Sequence, residues 1–409
     1  MAPDPRSGHR RAEFYLLDHA HTAALIACAL DASDPRMEAD LREALARTTD
    51  WDGLANTALR HGMAGILYRR VAGTCPDAVP TAVLESWRAR SAHVAVRSLR
   101  MQRALVALLD ALAAAGVPAL TFKGAAISEQ LYGDSTVRYF TDLDVLVRPA
   151  SVPAARNVAI ALGYEDVHPF EDVGASFEGI LEGEQEIALV HPVSGLLVEV
   201  HWRIGPRFAE DSLLADELFE RAGSVGILGR QVECLGPWDT ALALAVHAGT
   251  HEWGRLEDVA ALCAALTNVD DAEASGLEAL ASASGCVRRL HIGVLLVATL
   301  TQAPLPSSLE LAARSDRTAR RLANVATARL VASLADSADF DHDSPLKRVR
   351  RTLWEARSLD SRRATVHYAW RRLLVPVVID RPEMPASAEG ALGALMTQVR
   401  RQRRLWRRR

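Results

Sequence analysis

Hydrophobic spacing divides the chain into a helical beginning, a short α/β middle and a helical end. From about residue 13 to 115, apolar residues recur at three- and four-residue intervals in LLDHAHTAALIACAL, LREALARTTDWDGLANTALRHGMAGILYRRVA and LESWRARSAHVAVRSLRMQRALVALLDALAAAG. That is the period of helices with one buried face. Gly116 closes the last of them as a C-cap. The texture then changes. VPALTF reads as a short apolar strand running straight into a helix, KGAAISEQLYG, and YFTDLDVLV alternates as a second strand. ASVPAARNVAIALGY is a helix with Ser151 placed to cap its start. EIALVH and GLLVEVHW flank Pro-Val-Ser-Gly and read as a β-hairpin. From about residue 204 helices return, led by PWDTALALAVHAGTHEWGRLEDVAALCAAL, which reads as one long amphipathic helix with Pro237 in its first turn.

The pattern predicts an α+β protein. A small mixed-sheet core over 116–205 is flanked by a helical lobe over 13–115 and another over 206–335, and 336–409 hold a linker, further helices and an Arg-rich tail. A length of 409 residues agrees with several lobes, since one hydrophobic core stops growing below that size. Hydrophobic residues at 49% and charged residues at 24% exclude a mainly disordered chain.

Charge narrows the classes of partner. The net charge of −4 supplies no global basic field, so no specific nucleic acid is expected. No apolar run reaches the roughly 18 residues of a membrane span, and MAPDPRSGHRRAEF lacks the apolar centre of a signal peptide. Cys28, Cys75, Cys234, Cys263 and Cys286 are scattered and show no CxxC spacing, which argues against a disulfide framework or a zinc site. A cytoplasmic protein is expected. The final RRQRRLWRRR carries Leu405 and Trp406 among its arginines; it reads as a solvated tail, with weak contact to an acidic membrane surface as the alternative.

Three short segments carry candidate chemistry. In TDLDVLV, Asp142 and Asp144 are two apart, so on a strand both carboxylates project from one face while Leu143 and Val145 face the other. Such a pair repels unless a cation lies between the groups. On its own the tripeptide also fits a solvated strand end. In GLLVEVHW, Glu199 and His201 share a face, and a Glu within an apolar strand is costly to bury unpaired. In FKGAAISEQLYG, a strand meets a helix through Lys123 and Gly124, a place where free backbone N–H groups favour phosphate. Arg supplies all but two of the 47 basic residues, the exceptions being Lys123 and Lys347. A compact ammonium at this turn therefore stands out, because Lys and Arg differ as phosphate partners. His247, His251 and Asp258 share one face of the long helix, and read as a polar stripe toward the cleft or the core rather than a zinc site.

With LRHGMAGILYRRV, VRYFTDLDVLV, ALGYE, VEVHW and HAGTHEWGRLEDVAAL, these segments resemble a bacterial nucleotidyltransferase family, NTP-transferase type 5, within the polymerase-β-type superfamily. The resemblance covers about residues 50 to 265. It implies a metal site of Asp142, Asp144 and Glu199 for Mg2+ or Mn2+, with Glu199 and Asp144 acting in catalysis. It further implies Lys123, Gly124, Arg138 and His201 around a nucleoside triphosphate, and a transfer of its nucleoside monophosphate to a small-molecule, sugar or peptide acceptor in a biosynthetic pathway. Phospho- or glycosyl-transfer, or non-catalytic nucleotide binding, are the alternatives on the same fold. Two departures affect detail: the superfamily's Gly-Ser at the turn is Lys-Gly here, and the third carboxylate is Glu where Asp is common.

Overall fold

The computed structural model describes residues 20–31, 33–167, 181, 184–205, 213–267, 269–335 and 345–374. The expected N-terminal tail, the linker after 335 and the Arg-rich tail with Leu405 and Trp406 lie outside the described residues. The N-terminal part folds as α1 (Ala20–Ala29), α2 (Pro35–Ala46), α3 (Trp51–Arg60), α4 (Ala64–Thr74) and the long α5 (Thr81–Ala114). Asp34 and Asp50 start α2 and α3 by accepting hydrogen bonds from Arg36 N–H and Gly53 N–H, satisfying donors a helix start leaves free. Gly116, with φ of +70°, follows the last turn of α5 as expected.

The middle alternates β1 (Leu120–Thr121), α6 (Gly124–Tyr132), β2 (Asp142–Leu146), α7 (Val152–Ala161), β3 (Glu165–Asp166), β4 (Glu186–Val190) and β5 (Leu197–His201). Strands β6 (Arg203–Ile204) and β7 (Leu213–Leu214) form a separate ribbon leading to α8 (Ala215–Glu220). The chain then forms β8 (Gly223–Ile227) and β9 (Arg230–Cys234). The main sheet is mixed and seven-stranded, in the order β3-β4-β5-β2-β1-β9-β8. Its central pairing, β2 with β5, is parallel, and the β4–β5 hairpin is antiparallel as the sequence predicts.

Three local expectations are corrected. The β8–β9 hairpin adds two strands where only helices were expected. Its turn uses positive φ at both Leu228 and Gly229, the geometry that Asn-Gly ordinarily signals, and Leu there gives no such signal. Ser151 precedes α7 with helical backbone and makes no side-chain cap. The long helix breaks into α9 (Pro237–Thr250) and α10 (Leu256–Thr267). Between them Glu252 and Trp253 take positive φ. Burial of Trp253 and ion pairs from Glu252 to Arg329 and Arg350 hold that turn against its backbone cost. Asp258 therefore belongs to a different helix from His247.

The helices α11 (Asp271–Ala283), α12 (Val287–Thr301), α13 (Ser307–Ser315), α14 (Arg317–Ala335), α15 (Pro345–Arg357) and α16 (Arg362–Leu374) complete the described chain. Helices from both ends share one hydrophobic core: Leu25, Leu41 and Leu67 join Leu262, Leu296 and Leu330. The sheet residues Leu120, Phe122 and Leu146 reach into the same core from one face. The opposite face, carrying Leu143, Val145, Val198 and Val200, is covered by Leu105, Leu108 and Leu112 of α5 and by Val152, Ala155 and Ala159 of α7. Among the described residues no helix is long and apolar enough to cross a membrane, and all five cysteines are buried and outside any disulfide.

One contact ties the N-terminal helices to the loop that leads into β2. A Cβ on Gly65 would lie 2.0 Å from the Val137 carbonyl oxygen. That loop is held from its other side, where Ser98 Oγ and Gln102 Nε2 both donate to the Ser135 carbonyl. Ala for Gly in a helix ordinarily stabilises by up to about 1 kcal/mol, but forcing a methyl into filled space costs about 1–3 kcal/mol. Gly65→Ala is therefore expected to lower the urea midpoint by an amount equivalent to about 1–2 kcal/mol, with an unchanged slope. A raised or unchanged midpoint would contradict this packing.

Candidate active site

The register of β2 against β5 sets the site. Asp142 pairs with Leu197, Asp144 with Glu199 and Leu146 with His201. Side chains two apart on a strand share a face, and paired neighbours on adjacent strands share it too. Asp142, Asp144, Glu199 and His201 therefore project together from the face opposite Leu143 and Val145, beyond the part covered by Leu146 and Phe122.

Lys123 enters this group from the β1–α6 turn. Its Nζ lies 2.6 Å from Asp144 Oδ1 and 3.9 Å from Glu199 Oε2. The turn depends on Gly124, whose φ is +54° and whose missing Cβ would lie 3.0 Å from the Phe140 ring. His201 is buried beside the same carboxylates, with Nε2 3.0 Å from Asp144 Oδ1 and 3.3 Å from Glu199 Oε2. One ligand atom from each of Asp144, Glu199 and His201 lies within 4.8 Å of the other two, close enough to hold one metal ion.

The electrostatics follow from this crowding. Burial works against ionised Asp144, but Lys123 and His201 outweigh it and hold its carboxyl well below the usual range. Burial likewise opposes the Lys123 ammonium, and Asp144 more than compensates. His201 is pulled down by burial, yet its hydrogen bonds to Asp144 and Glu199 lift it to about 9. Asp142 has no such partner. Burial, then Asp144, then Glu199 push its pKa up to about 6. Asp144 Oδ2 is buried and accepts no hydrogen bond. An anionic cluster with a poorly neutralised member and an unused buried oxygen fits a hard divalent cation.

Arg138 is not brought to the carboxylates by any described contact. It is half-buried, and its Nε donates to Glu257 Oε1 at 2.7 Å. Its charge still reaches the cleft wall, adding to burial and Lys123 in depressing His247. The His247 and His251 rings meet edge to face with centroids 4.7 Å apart, and burial together with nearby cations, Lys123 among them, depresses both. Sequence reasoning missed Glu186, whose Oε2 lies 3.2 Å from His201 Nδ1. The signal was present: the hairpin through Pro-Val-Ser-Gly places Glu186 directly opposite His201. Glu257 was missed as well, because nothing local in the sequence links it to Arg138, 119 positions away.

A mixed sheet whose Asp-x-Asp strand lies beside an acidic strand, with a Lys-Gly turn and helix at its edge, is the architecture of a nucleotidyltransferase core. The chain belongs to the uncharacterised nucleotidyltransferase family of NTP-transferase type 5, whose model matches residues 47–302. The match takes in the sheet and the adjoining part of each helical flank, and it makes the protein a nucleotidyltransferase-family enzyme. No curated protein is significantly similar to the chain. No solved structure is either.

The Asp142 environment gives a pH test. Folding raises this pKa from 3.8 to about 6. The penalty for ionising it is therefore absent below about pH 4 and complete above about pH 6. In cation-free protein, Asp142→Asn should raise Tm relative to the parent at about pH 8, and the difference should shrink toward zero near pH 4. Equal melting of the two proteins across that range would show that Asp142 is not strained by its neighbours.

Proposed function

We propose that the protein transfers a nucleoside monophosphate from a nucleoside triphosphate to a hydroxyl, or a similar nucleophile, on a small molecule, sugar or peptide in a biosynthetic pathway. The observation that carries this reading is the convergence of Asp142, Asp144 and Glu199 on one sheet face with Lys123 hydrogen-bonded to Asp144. These carboxylates would hold Mg2+ or Mn2+, which when bound neutralises charge on the attacking and leaving oxygens.

The chain's own groups account for the rest. Gly124 opens the start of α6, so its backbone N–H groups and helix dipole face a triphosphate. Lys123, 22% exposed in its side chain, stands between the carboxylates and that helix start and would offset charge on the departing pyrophosphate. Arg138, braced by Glu257, adds positive charge behind the cleft. As the acceptor oxygen attacks the α-phosphorus, the bond to the pyrophosphate oxygen breaks, and Glu199 is placed to take the acceptor proton. Five buried cysteines, none of them in a disulfide, agree with a reducing cytoplasmic setting.

The test is incubation of the purified chain with each labelled triphosphate, Mg2+ or Mn2+, and a small-molecule extract. Mass spectrometry then reads an acceptor heavier by one nucleoside monophosphate, with release of pyrophosphate. Asp144→Asn should lower transfer at least about 100-fold while the fold survives. Lys123→Ala should raise KM for the triphosphate more than it lowers kcat, and Lys123→Arg should restore only part of the loss because guanidinium is larger and planar. Full activity in Asp144→Asn would sink the mechanism. Nucleotide binding without turnover on any acceptor would favour a nucleotide-binding role.

A further inference from the structure

Beside the carboxylates, the site contains a histidine with both ring nitrogens engaged. Glu186 on β4 lies directly across the hairpin from His201 on β5, so the backbone pairing itself sets their approach. Glu186 Oε2 is 3.2 Å from Nδ1, and Gln185 Nε2 donates to the same Glu186 oxygen at 2.9 Å. The ring is fixed further by Phe122, whose centroid lies 4.9 Å away at an interplanar angle of 89°. His201 is 3% exposed. A carboxylate that accepts a hydrogen bond from Nδ1–H leaves Nε2, once it has lost its own proton, as the outward donor, the arrangement in which second-shell carboxylates orient histidine ligands. Here Nε2 points at Asp144 Oδ1 and Glu199 Oε2, at 3.0 and 3.3 Å. The cluster is more than a group of acids, because Asp144 is 4% exposed and its Oδ2 has no hydrogen-bond partner.

We propose that His201 Nε2 is a direct metal ligand with Asp144 and Glu199, oriented by Glu186, and that this nitrogen-containing site selects a divalent transition ion of the Mn2+ class over Mg2+. Mg2+ takes oxygen ligands and holds its waters, whereas a first-row transition ion such as Mn2+ accepts one imidazole beside carboxylate oxygens. The inference rests on the reading of this cluster as a cation site, and it is independent of which group is transferred. For Nε2 to serve as a ligand its proton would leave to bulk water, and the ion would replace the Lys123 ammonium as the counter-charge of Asp144, leaving Lys123 able to turn to the phosphates.

The experiment uses the full chain and Mn2+ alone. Electron paramagnetic resonance follows the loss of free Mn2+ signal, giving affinity, and spin-echo modulation of the bound ion reports directly coordinated nitrogen. The wild type should show nitrogen modulation, and at least about tenfold more Mg2+ than Mn2+ should be needed for half displacement. His201→Gln should lose the modulation and bind Mn2+ more weakly. Glu186→Gln should weaken Mn2+ by about 10–100-fold while keeping the modulation. Thermal melting without metal checks that each variant folds, and if His201→Gln does not, the wild type and Glu186→Gln carry the test. Bound Mn2+ without nitrogen modulation, or equal displacement by Mg2+, would overturn the proposal. Robust transfer with no coordinated nitrogen would remove this ligand assignment and leave the transfer reading standing. Nitrogen-coordinated Mn2+ with no transfer to any acceptor would do the reverse.

Discussion

Parallel pairing of β2 with β5 sets Asp144 opposite Glu199, and the surrounding architecture is arranged around the consequences of that register. A slip of one residue would turn Leu143, Val145, Val198 and Val200 out of the core and push the acidic residues into it. The slip is prevented because α5 and α7 cover the apolar face closely, with Val145 and Val198 fully buried beneath them. Hydrophobic packing on one face thus holds an electrostatically unfavourable arrangement on the other.

The charge on that face is only partly balanced. Asp142, Asp144, Glu199 and Glu186 meet Lys123 and a His201 whose pKa is lifted to about 9. Unit charges about 4 Å apart interact by roughly 4 kcal/mol at the effective dielectric of a protein surface, so the cluster cannot ignore a missing counter-charge. Asp144 pairs with both internal cations, while burial and the neighbouring Asp144 and Glu199 charges outweigh Lys123 at Asp142 and lift its pKa to about 6. This asymmetry favours taking up an external cation, and it explains why a compact ammonium at position 123 suits the site in a chain that uses Arg at every other basic position but 347.

The helical body contributes the cleft's other wall. The break between α9 and α10 ends α9 beside His251, whose ring meets that of His247, while α10 sets Glu257 against Arg138. The break itself is secured from a distance: Trp354 Nε1 donates to the Gly249 carbonyl at 2.7 Å, and Arg350 reaches Glu252 at 3.0 Å. Residues near the C-terminal end of the described chain therefore help to shape a wall whose residues lie a hundred positions earlier.

Much of the site could be read before any coordinates. Period-two alternation put Asp142 with Asp144 and Glu199 with His201, each pair on one strand face, and the Pro-Val-Ser-Gly turn brought β4 to β5. These are local properties, set by the pleat and by turn chemistry within a few residues. Lys123 and Gly124 were legible for the same reason, since a strand–Gly–helix turn is contiguous. Other features depended on distant partners. The β8–β9 hairpin joins the sheet because β1 offers an edge at Thr121, and its Leu-Gly turn carries no strong signal. The continuous helical period from Pro237 to Leu266 hid a break that only the burial of Trp253 and the ion pairs of Glu252 impose. Arg138 looked free for phosphate because its partner Glu257 lies far along the chain. The sequence by itself determined which side chains share a strand face, because that depends on backbone geometry over a few residues. The tertiary structure alone decided which charges meet across elements, because those contacts follow from how helices and strands pack on one another.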